Sequence, residues 1–159
     1  MRGHDQILKY LNEVLKTELT AINQYFLHAK MCESWGYERL AEYNRKESIS
    51  EMVHAEKLMD RILFLEGTPN MTDIGPIKVG ANVKAQLESD LAIEYDVVNR
   101  LKPGIVMCRA KEDSTSAVLL ERIAADEEKH IDYLETQLEL MDKLGEELYA
   151  AQCVSRPPG

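Results

Sequence analysis

The chain has 159 residues, of which 45% are hydrophobic, 30% are charged and 6% are aromatic, and its formal net charge is −9. This length suits a single domain over residues 1–159 with a substantial buried core. The acidic balance, without a basic stripe, excludes a general nucleic-acid binder and suits a protein that attracts cations. The scarcity of aromatic residues and the abundance of Ala, Leu, Glu and Lys favour helices over sheet.

Cysteine usage and the chain start bear on location. The three cysteines, Cys32, Cys108 and Cys153, are odd in number and widely spaced, so they define neither a disulfide framework nor a thiolate metal site. The first residues lead into a polar amphipathic segment without a signal-peptide core, and no run of about 18 apolar residues follows. We therefore expect a cytoplasmic protein without a membrane partner.

The first two predicted helices run from Asp5 to Ser34 and from about Glu38 to Glu66. Apolar residues recur in the first helix with helical spacing, and Glu18 lies in the middle of that seam. A carboxylate on a buried seam is costly unless it has a partner. The second helix places three ionisable residues in succession on its inner face: Glu47, Glu51 and His54.

The connection after the second helix, residues 67 to about 81, has no periodicity and contains two prolines and three glycines. About 15 extended residues reach roughly 50 Å, whereas a helix of about 28 residues is roughly 42 Å long. The connection is therefore predicted to run the full length of a helical bundle, since a simple hairpin needs far fewer residues.

Two further long helices are predicted, one from about Ala81 or Asn82 to Ala110 and one from about Asp113–Ser114 to Gly145. Each again carries ionisable residues on its apolar seam. Pro103 predicts a kink or break in the third helix, because an interior proline removes a backbone hydrogen bond. A short fifth helix is expected between Glu146 and about Val154, followed by a loose tail over 155–159.

The ionisable seam residues form a duplicated pattern. A single shift of 76 residues relates three pairs: Glu18 with Glu94, Glu51 with Glu127, and His54 with His130. Each half contains Glu-x-x-His, which places both side chains on one helical face. Four carboxylates and two imidazoles near mid-helix predict a site for two metal ions, and two divalent ions would neutralise the four carboxylates. Oxygen and imidazole ligands favour Fe or Mn, with Zn as a competitor.

The alternative interpretation is that these residues form buried ion pairs or solvated helix faces. A lone Glu-x-x-His usually has that explanation. The doubled set lies on apolar seams that carry no Arg or Lys to neutralise four carboxylates. The metal interpretation is therefore favoured, and the arrangement is the one described for ferritin-like di-iron proteins.

From Met1 to about Gln152 the sequence resembles the bacterioferritins. The segments that carry the resemblance are Glu18-Leu19-x-Ala21-Ile22-Asn23-Gln24-Tyr25-Phe26-Leu27-His28, Glu47-Ser48-Ile49, Glu51-Met52-x-His54-Ala55, Arg61-Ile62-Leu63-Phe64-Leu65-Glu66-Gly67-x-Pro69-Asn70 and His130-Ile131-Asp132-Tyr133-Leu134-Glu135-Thr136. The resemblance implies an all-α, ferritin-like four-helix bundle with one long crossover connection and a short C-terminal helix.

The resemblance also implies a function and an assembly. It implies a shell of 24 subunits that oxidises Fe(II) with O2 or hydrogen peroxide at an intrasubunit di-iron centre and stores a ferric mineral. By position, one iron would be held by Glu18, Glu51 and His54, and the other by Glu94, Glu127 and His130. Glu51 and Glu127 would bridge the two ions. A small ferredoxin is implied as the reductant for iron release.

Met52 points away from Glu51 and matches the family's axial ligand to a haem b shared by two subunits. Apolar residues surround its position: Ile22, Phe26, Ile49 and Met59. The alternative is a methionine that fills a dimer contact, a common use of this adaptable side chain.

Three other residues have predicted roles, and two of them also have an ordinary structural interpretation. Tyr25 is predicted to donate an electron or a hydrogen bond to the centre, or to be an ordinary buried tyrosine. Asp90 is predicted to accept the outward N–H of a ligand imidazole, or to be a capping or surface residue. Glu47 is predicted to help pass iron inward.

The sequence departs from the family at four positions. Some members have His and Asp where this chain has Lys46 and Ser50, which puts an inner-surface iron site in doubt although His28 is present. Arg45 replaces an aromatic residue near the haem of some members, and Pro103 is unexpected. Two other functions stay open: an oxidase or peroxidase with two Fe or Mn ions that stores nothing, and a metal-free helical interaction module.

Overall fold

Helices dominate residues 1–154, the part of the chain that the computed structural model describes. They are α1 (Asp5–Ser34), α2 (Glu38–Phe64), α3 (Val83–Ala110), α4 (Ser114–Leu144) and α5 (Glu146–Ala151). No strand occurs within these residues, so the predicted all-α class is confirmed. The second and fifth helices end two and three residues earlier than expected. The predicted loose tail at 155–159 lies outside the described residues.

Local sequence signals explain where the helices begin and end. The Asn82 side chain accepts a hydrogen bond from the Ala85 N–H, and Asp113 accepts one from Ser116, so both residues are N-caps. Gly145 ends α4 with a φ of 82°, a left-handed conformation that glycine adopts without steric cost. The predicted starts of the third and fourth helices are therefore confirmed to within a residue or two.

The helices form two antiparallel pairs, α1 with α2 and α3 with α4, and α1 also packs on α3. The connection between α2 and α3 runs back along α1, parallel to it. Its backbone N–H groups donate to successive α1 side chains: Asn70 to Asn12, Gly75 to Thr20, Lys78 to Gln24 and Gly80 to His28. The predicted crossover along the length of the bundle is confirmed.

Two apolar clusters fill the bundle, one toward each end. One includes Leu11, Leu15, Leu58, Ile62, Leu101 and Leu120, and the other includes Cys32, Leu40, Leu87, Leu134 and Tyr149. The buried acidic and imidazole side chains lie in the layer between these clusters. Burial of the two apolar ends fixes the helices that carry the polar layer, since each fully buried large apolar side chain contributes about 1.5–3 kcal/mol.

Of the kink or break predicted at Pro103, the break does not occur, because α3 is continuous from Val83 to Ala110. Pro103 and Asn99 are both exposed, so water can satisfy the Asn99 carbonyl that lacks its helical partner. The opposite face of the same turn is buried. A Cβ at Gly104 would lie 1.8 Å from Cε1 of Tyr10, so glycine is required for α1 and α3 to approach this closely.

Candidate metal centre

The bundle brings the six duplicated residues together at mid-height. Each of the four long helices contributes: Glu18 from α1, Glu51 and His54 from α2, Glu94 from α3, and Glu127 and His130 from α4. All six are buried, and the four carboxylates have no measurable solvent exposure. The pattern read from sequence spacing therefore corresponds to one compact polar layer inside an apolar bundle.

The six side chains form two overlapping groups of four. In one group, ligand atoms of Glu18, Glu51, His54 and Glu127 lie within 4.8 Å of one another. In the other, the same holds for Glu51, Glu94, Glu127 and His130. Glu51 and Glu127 belong to both groups, so these two carboxylates occupy the position that bridging ligands require, and Glu18 and Glu94 lie at opposite sides.

Both imidazoles turn the same nitrogen toward the centre. Nδ1 of His54 lies 2.9 Å from Oε1 of Glu127 and 3.5 Å from carboxylate oxygens of Glu18 and Glu51. Nδ1 of His130 lies 3.0 Å from Oε1 of Glu51, 3.1 Å from Glu127 and 3.4 Å from Glu94. This shared orientation leaves Nε2 of each ring facing outward.

Among residues 1–154, the four carboxylates have no cationic partner other than these imidazoles, since none of them forms an ion pair with a lysine or arginine. Both oxygens of Glu18 and of Glu51, and one each of Glu94 and Glu127, are buried without an aligned hydrogen-bond donor. Buried polar atoms normally have partners, and metal ions are the partners that this oxygen and nitrogen set fits.

Without metal, the site holds protons instead. Burial, followed by repulsion from Glu51 and Glu127, raises the pKa of Glu18 well above its usual value. Burial also raises the pKa of Glu94 well above its usual value. Burial alone would raise the pKa of Glu51, but the adjacent Glu18 carboxyl group and the two imidazoles outweigh it and lower that pKa to about 2.

The imidazoles respond to the same charges. Burial alone would lower the pKa of each ring, but the surrounding carboxylates outweigh it and raise the pKa of both His54 and His130 far above the usual range. In the metal-free centre both imidazoles are thus protonated, and the carboxyl groups share protons among themselves. The positive imidazoles and these protons balance the negative charge of four acidic side chains in an apolar interior.

Tyr25 lies beside the centre, as its spacing from Glu18 predicts. Its hydroxyl donates a hydrogen bond of 2.7 Å to Oε1 of Glu94, and the side chain is fully buried. This bond orients one oxygen of Glu94 and leaves the other, Oε2, without an aligned donor.

Two acidic residues face the outer nitrogens of the imidazoles. Nε2 of His54 is hydrogen-bonded at 3.0 Å to Oδ2 of Asp126, and Nε2 of His130 lies 2.9 Å from Oε2 of Glu47. Asp126 could not be identified from sequence spacing, because its contact with His54 joins two different helices. Sequence spacing places Glu47 on the inner face of α2, but it does not show that Glu47 lies beside His130.

The predicted role of Asp90 is wrong. Its Oδ1 contacts Nδ1 of His28 and accepts a hydrogen bond from Gln24, both at 2.9 Å, and it reaches neither ligand imidazole. Asp90 lies on the side of α3 that faces α1, whereas His54 and His130 belong to α2 and α4. His28 is fully buried and accepts the Gly80 N–H, so it fastens the crossover rather than facing a surface.

Met52 lies outside this centre on an exposed apolar face of the α1–α2 pair. Its side chain is 48% exposed, and Phe26 and Ile49 beside it are about equally exposed. Ile22 and Met59 are partly buried and packed against the core. Arg45 is exposed nearby and borders a cavity with Phe26.

Two further sequence expectations concern residues away from the centre. The three cysteines are free and buried in the described part of the chain, and burial raises the pKa of Cys32 to about 12 and that of Cys108 to about 11. None of the helices within residues 1–154 is long and apolar enough to cross a bilayer.

Comparison with known proteins places this geometry in a family. A family model described as Ferritin-like domain matches residues 8–144. The chain is 67% identical over 158 residues to a Mycobacterium bovis protein named bacterioferritin, covering 99% of both chains. It is 50% identical over 156 residues to a bacterioferritin of Streptomyces coelicolor, covering 98% of this chain and 93% of the relative.

Solved structures agree with the sequence relatives. The structure of Mycobacterium tuberculosis bacterioferritin, BfrA, has a TM-score of 0.96 and 67% identity, with full coverage of both chains. A mycobacterial bacterioferritin structure has a TM-score of 0.97 and 64% identity, covering 100% of this chain and 99% of that one.

Proposed function

The chain belongs to the bacterioferritin family, and from this premise we propose that it detoxifies and stores iron by oxidising Fe(II) at the six-residue centre. The observation that carries the proposal is the pair of overlapping ligand groups with Glu51 and Glu127 common to both. One Fe(II) would be held by Glu18 and His54 and the other by Glu94 and His130, with the shared carboxylates between them.

The chemistry follows from two adjacent ions. Each Fe(II) gives up one electron, so a pair supplies the two electrons that reduce one hydrogen peroxide and two protons to two waters, or one O2 and two protons to hydrogen peroxide. The chain's residues keep the ions adjacent and neutralise their charge. The Tyr25 hydroxyl, 2.7 Å from Glu94, orients that carboxylate and is our candidate electron donor when only one Fe(II) is available.

Storage requires a container, and we propose a shell of 24 subunits built from two-fold dimers, in the cytoplasm, with the whole chain forming one ferritin-like domain. A small ferredoxin would supply electrons for iron release. Glu47, beside His130 at the partly exposed side of the centre, is proposed to pass iron between the centre and the interior. Lys46 and Ser50 leave the inner-surface iron site without its usual ligands.

Met52 is proposed to hold a haem b together with Met52 of a second subunit. The residues fit this group, because the exposed thioether is surrounded by apolar side chains on a face that the single chain leaves uncovered. When bound, the haem would supply one-electron transfer between the outside and the stored mineral. The side chains of Phe26 and Ile49 would exclude water from it.

The test combines oxidation kinetics with native mass. Fe(II) added in air should be oxidised faster than in buffer, and Glu18→Ala or Glu94→Ala should abolish the fast phase without changing the fold. Oxidation no faster than in buffer would favour a metal-free helical module. A native mass of a dimer, with oxidation intact, would favour a non-storing di-iron or di-manganese oxidase or peroxidase and refute storage.

A further inference from the structure

The outer nitrogens of the two imidazoles are held by unlike partners, and we propose that Asp126 is a positioning residue for the His54 metal position and Glu47 for the His130 position. The two positions would therefore differ in metal affinity although their ligands are related by one sequence shift. This inference rests on the proposed function, because it takes the six residues as metal ligands.

Asp126 has the geometry to orient His54. Its Oδ2 is 3.0 Å from Nε2 of His54, in an aligned hydrogen bond, while Nδ1 of the same ring points into the centre. A carboxylate that accepts the Nε2–H fixes the tautomer in which Nδ1 carries the lone pair, and it raises the basicity of that nitrogen. The contact joins α4 to α2, so it also fixes the ring plane.

Glu47 faces His130 as a close ion-pair partner, without the aligned hydrogen bond that Asp126 makes to His54. Its Oε2 lies 2.9 Å from Nε2 of His130, and its side chain is only 13% exposed, against 45% for Asp126. Asp126 also lies 3.9 Å from the Lys129 ammonium. Solvent and a cation therefore screen the Asp126 charge, whereas the Glu47 charge acts on His130 through a less polarisable surrounding.

The sequence shift that relates the ligands does not relate these partners. Adding 76 residues to Glu47 gives Ile123, which is buried in the apolar core, and subtracting 76 from Asp126 gives Ser50. The orienting carboxylate precedes its own-helix ligand by one residue in α4 and by one turn in α2. The symmetry of the centre thus ends at the six ligands.

Cobalt(II) binding, followed by visible absorption, separates the two positions. A Glu94→Ala background retains Glu18 and His54, and a Glu18→Ala background retains Glu94 and His130. In the first background, adding Asp126→Ala should weaken Co(II) binding about 10–100-fold and shift the absorption band, while adding Glu47→Ala should change neither. In the second background the two effects should exchange.

Two controls exclude a general structural effect. Asp126→Asn retains an oxygen that can accept the Nε2–H, so it should lose less affinity than Asp126→Ala. Glu128→Ala removes an exposed carboxylate from the same helix and should leave Co(II) affinity unchanged. The metal-free unfolding temperature of each variant is measured alongside, so that a loss of folding is not counted as a loss of affinity.

Each outcome decides the inference. The inference would be overturned if Asp126→Ala or Glu47→Ala weakened Co(II) binding equally in both backgrounds. It would also be overturned if neither substitution weakened Co(II) binding in either background. If Co(II) binds the parent chain with an affinity that Glu18→Ala and Glu94→Ala leave unchanged, the proposed centre itself fails. Co(II) binding that depends on those ligands but not on Asp126 or Glu47 would refute only the positioning role.

Discussion

Metal loading should release about four protons per chain near neutral pH. The pKa of Glu18, Glu94, His54 and His130 is raised in the metal-free centre, so these four groups hold protons there. Metal ligation requires deprotonated carboxylates and neutral imidazoles. Two ions therefore displace about two protons each, and the binding free energy becomes more favourable by about 2.7 kcal/mol per ion for each pH unit of increase.

The assay is calorimetric titration with Zn(II), which binds without redox chemistry. Titrations in two buffers with different ionisation enthalpies give the number of protons released. The Glu18→Gln variant, at saturating Zn(II), should release about one proton fewer, whereas Glu128→Gln should match the parent chain. Release of one proton or none would refute the reasoning, because it would mean that the metal-free carboxylates are ionised and the imidazoles neutral.

The same groups set the pH dependence of metal-free stability. Their folded-state pKa lies above the unfolded value, so the stabilisation they give is present at low pH and is lost as pH rises. The metal-free unfolding temperature should therefore decrease as the pH is raised from about 5 to about 8. Glu51, with its pKa lowered to about 2, acts oppositely, but only below about pH 4.5. Thermal unfolding with a chelator measures this, and a rise in unfolding temperature over that interval would contradict it.

Three other predictions concern single side chains. Tyr25→Phe removes the hydrogen bond to Glu94 and should slow Fe(II) oxidation at substoichiometric iron while two Zn(II) still bind; unchanged stopped-flow rates would contradict a role beyond packing. Met52→Leu should abolish haem absorption while Fe(II) oxidation survives. Loss of both haem absorption and Fe(II) oxidation would contradict the assignment of haem and Fe(II) to separate sites. Gly104→Ala should destabilise the chain by about 1–3 kcal/mol, since its Cβ overlaps the Tyr10 ring. The same substitution should cost less in a Tyr10→Ala background. Denaturant unfolding that shows no loss of stability on Gly104→Ala would refute the close-packing argument.

The residues that share one face of a helix were predictable from the sequence, because their spacing along the chain determines the face on which they lie. The six centre residues have that character, and the starts of α3 and α4 near Asn82 and Asp113 were also predictable. The length of the connection was informative for the same reason, since covalent reach sets what it can span.

Contacts between helices were less predictable, because the sequence does not give the rotation of one helix against another. Asp126 was missed since its partner, His54, lies on a different helix. Asp90 was assigned to a ligand imidazole although it faces α1 and contacts His28. Pro103 was expected to kink or break α3, but tight packing at Gly104 and solvent access on the opposite face keep the helix continuous.

Anomalous X-ray scattering at the iron edge, from a crystal soaked anaerobically in Fe(II), locates the ions independently of any activity. Two peaks per chain are expected about 3.5–4 Å apart, with Glu51 and Glu127 between them, one beside His54 and the other beside His130. A centre without peaks in a crystal whose soak reaches other sites, or a single peak outside the six-residue layer, would contradict the proposed centre.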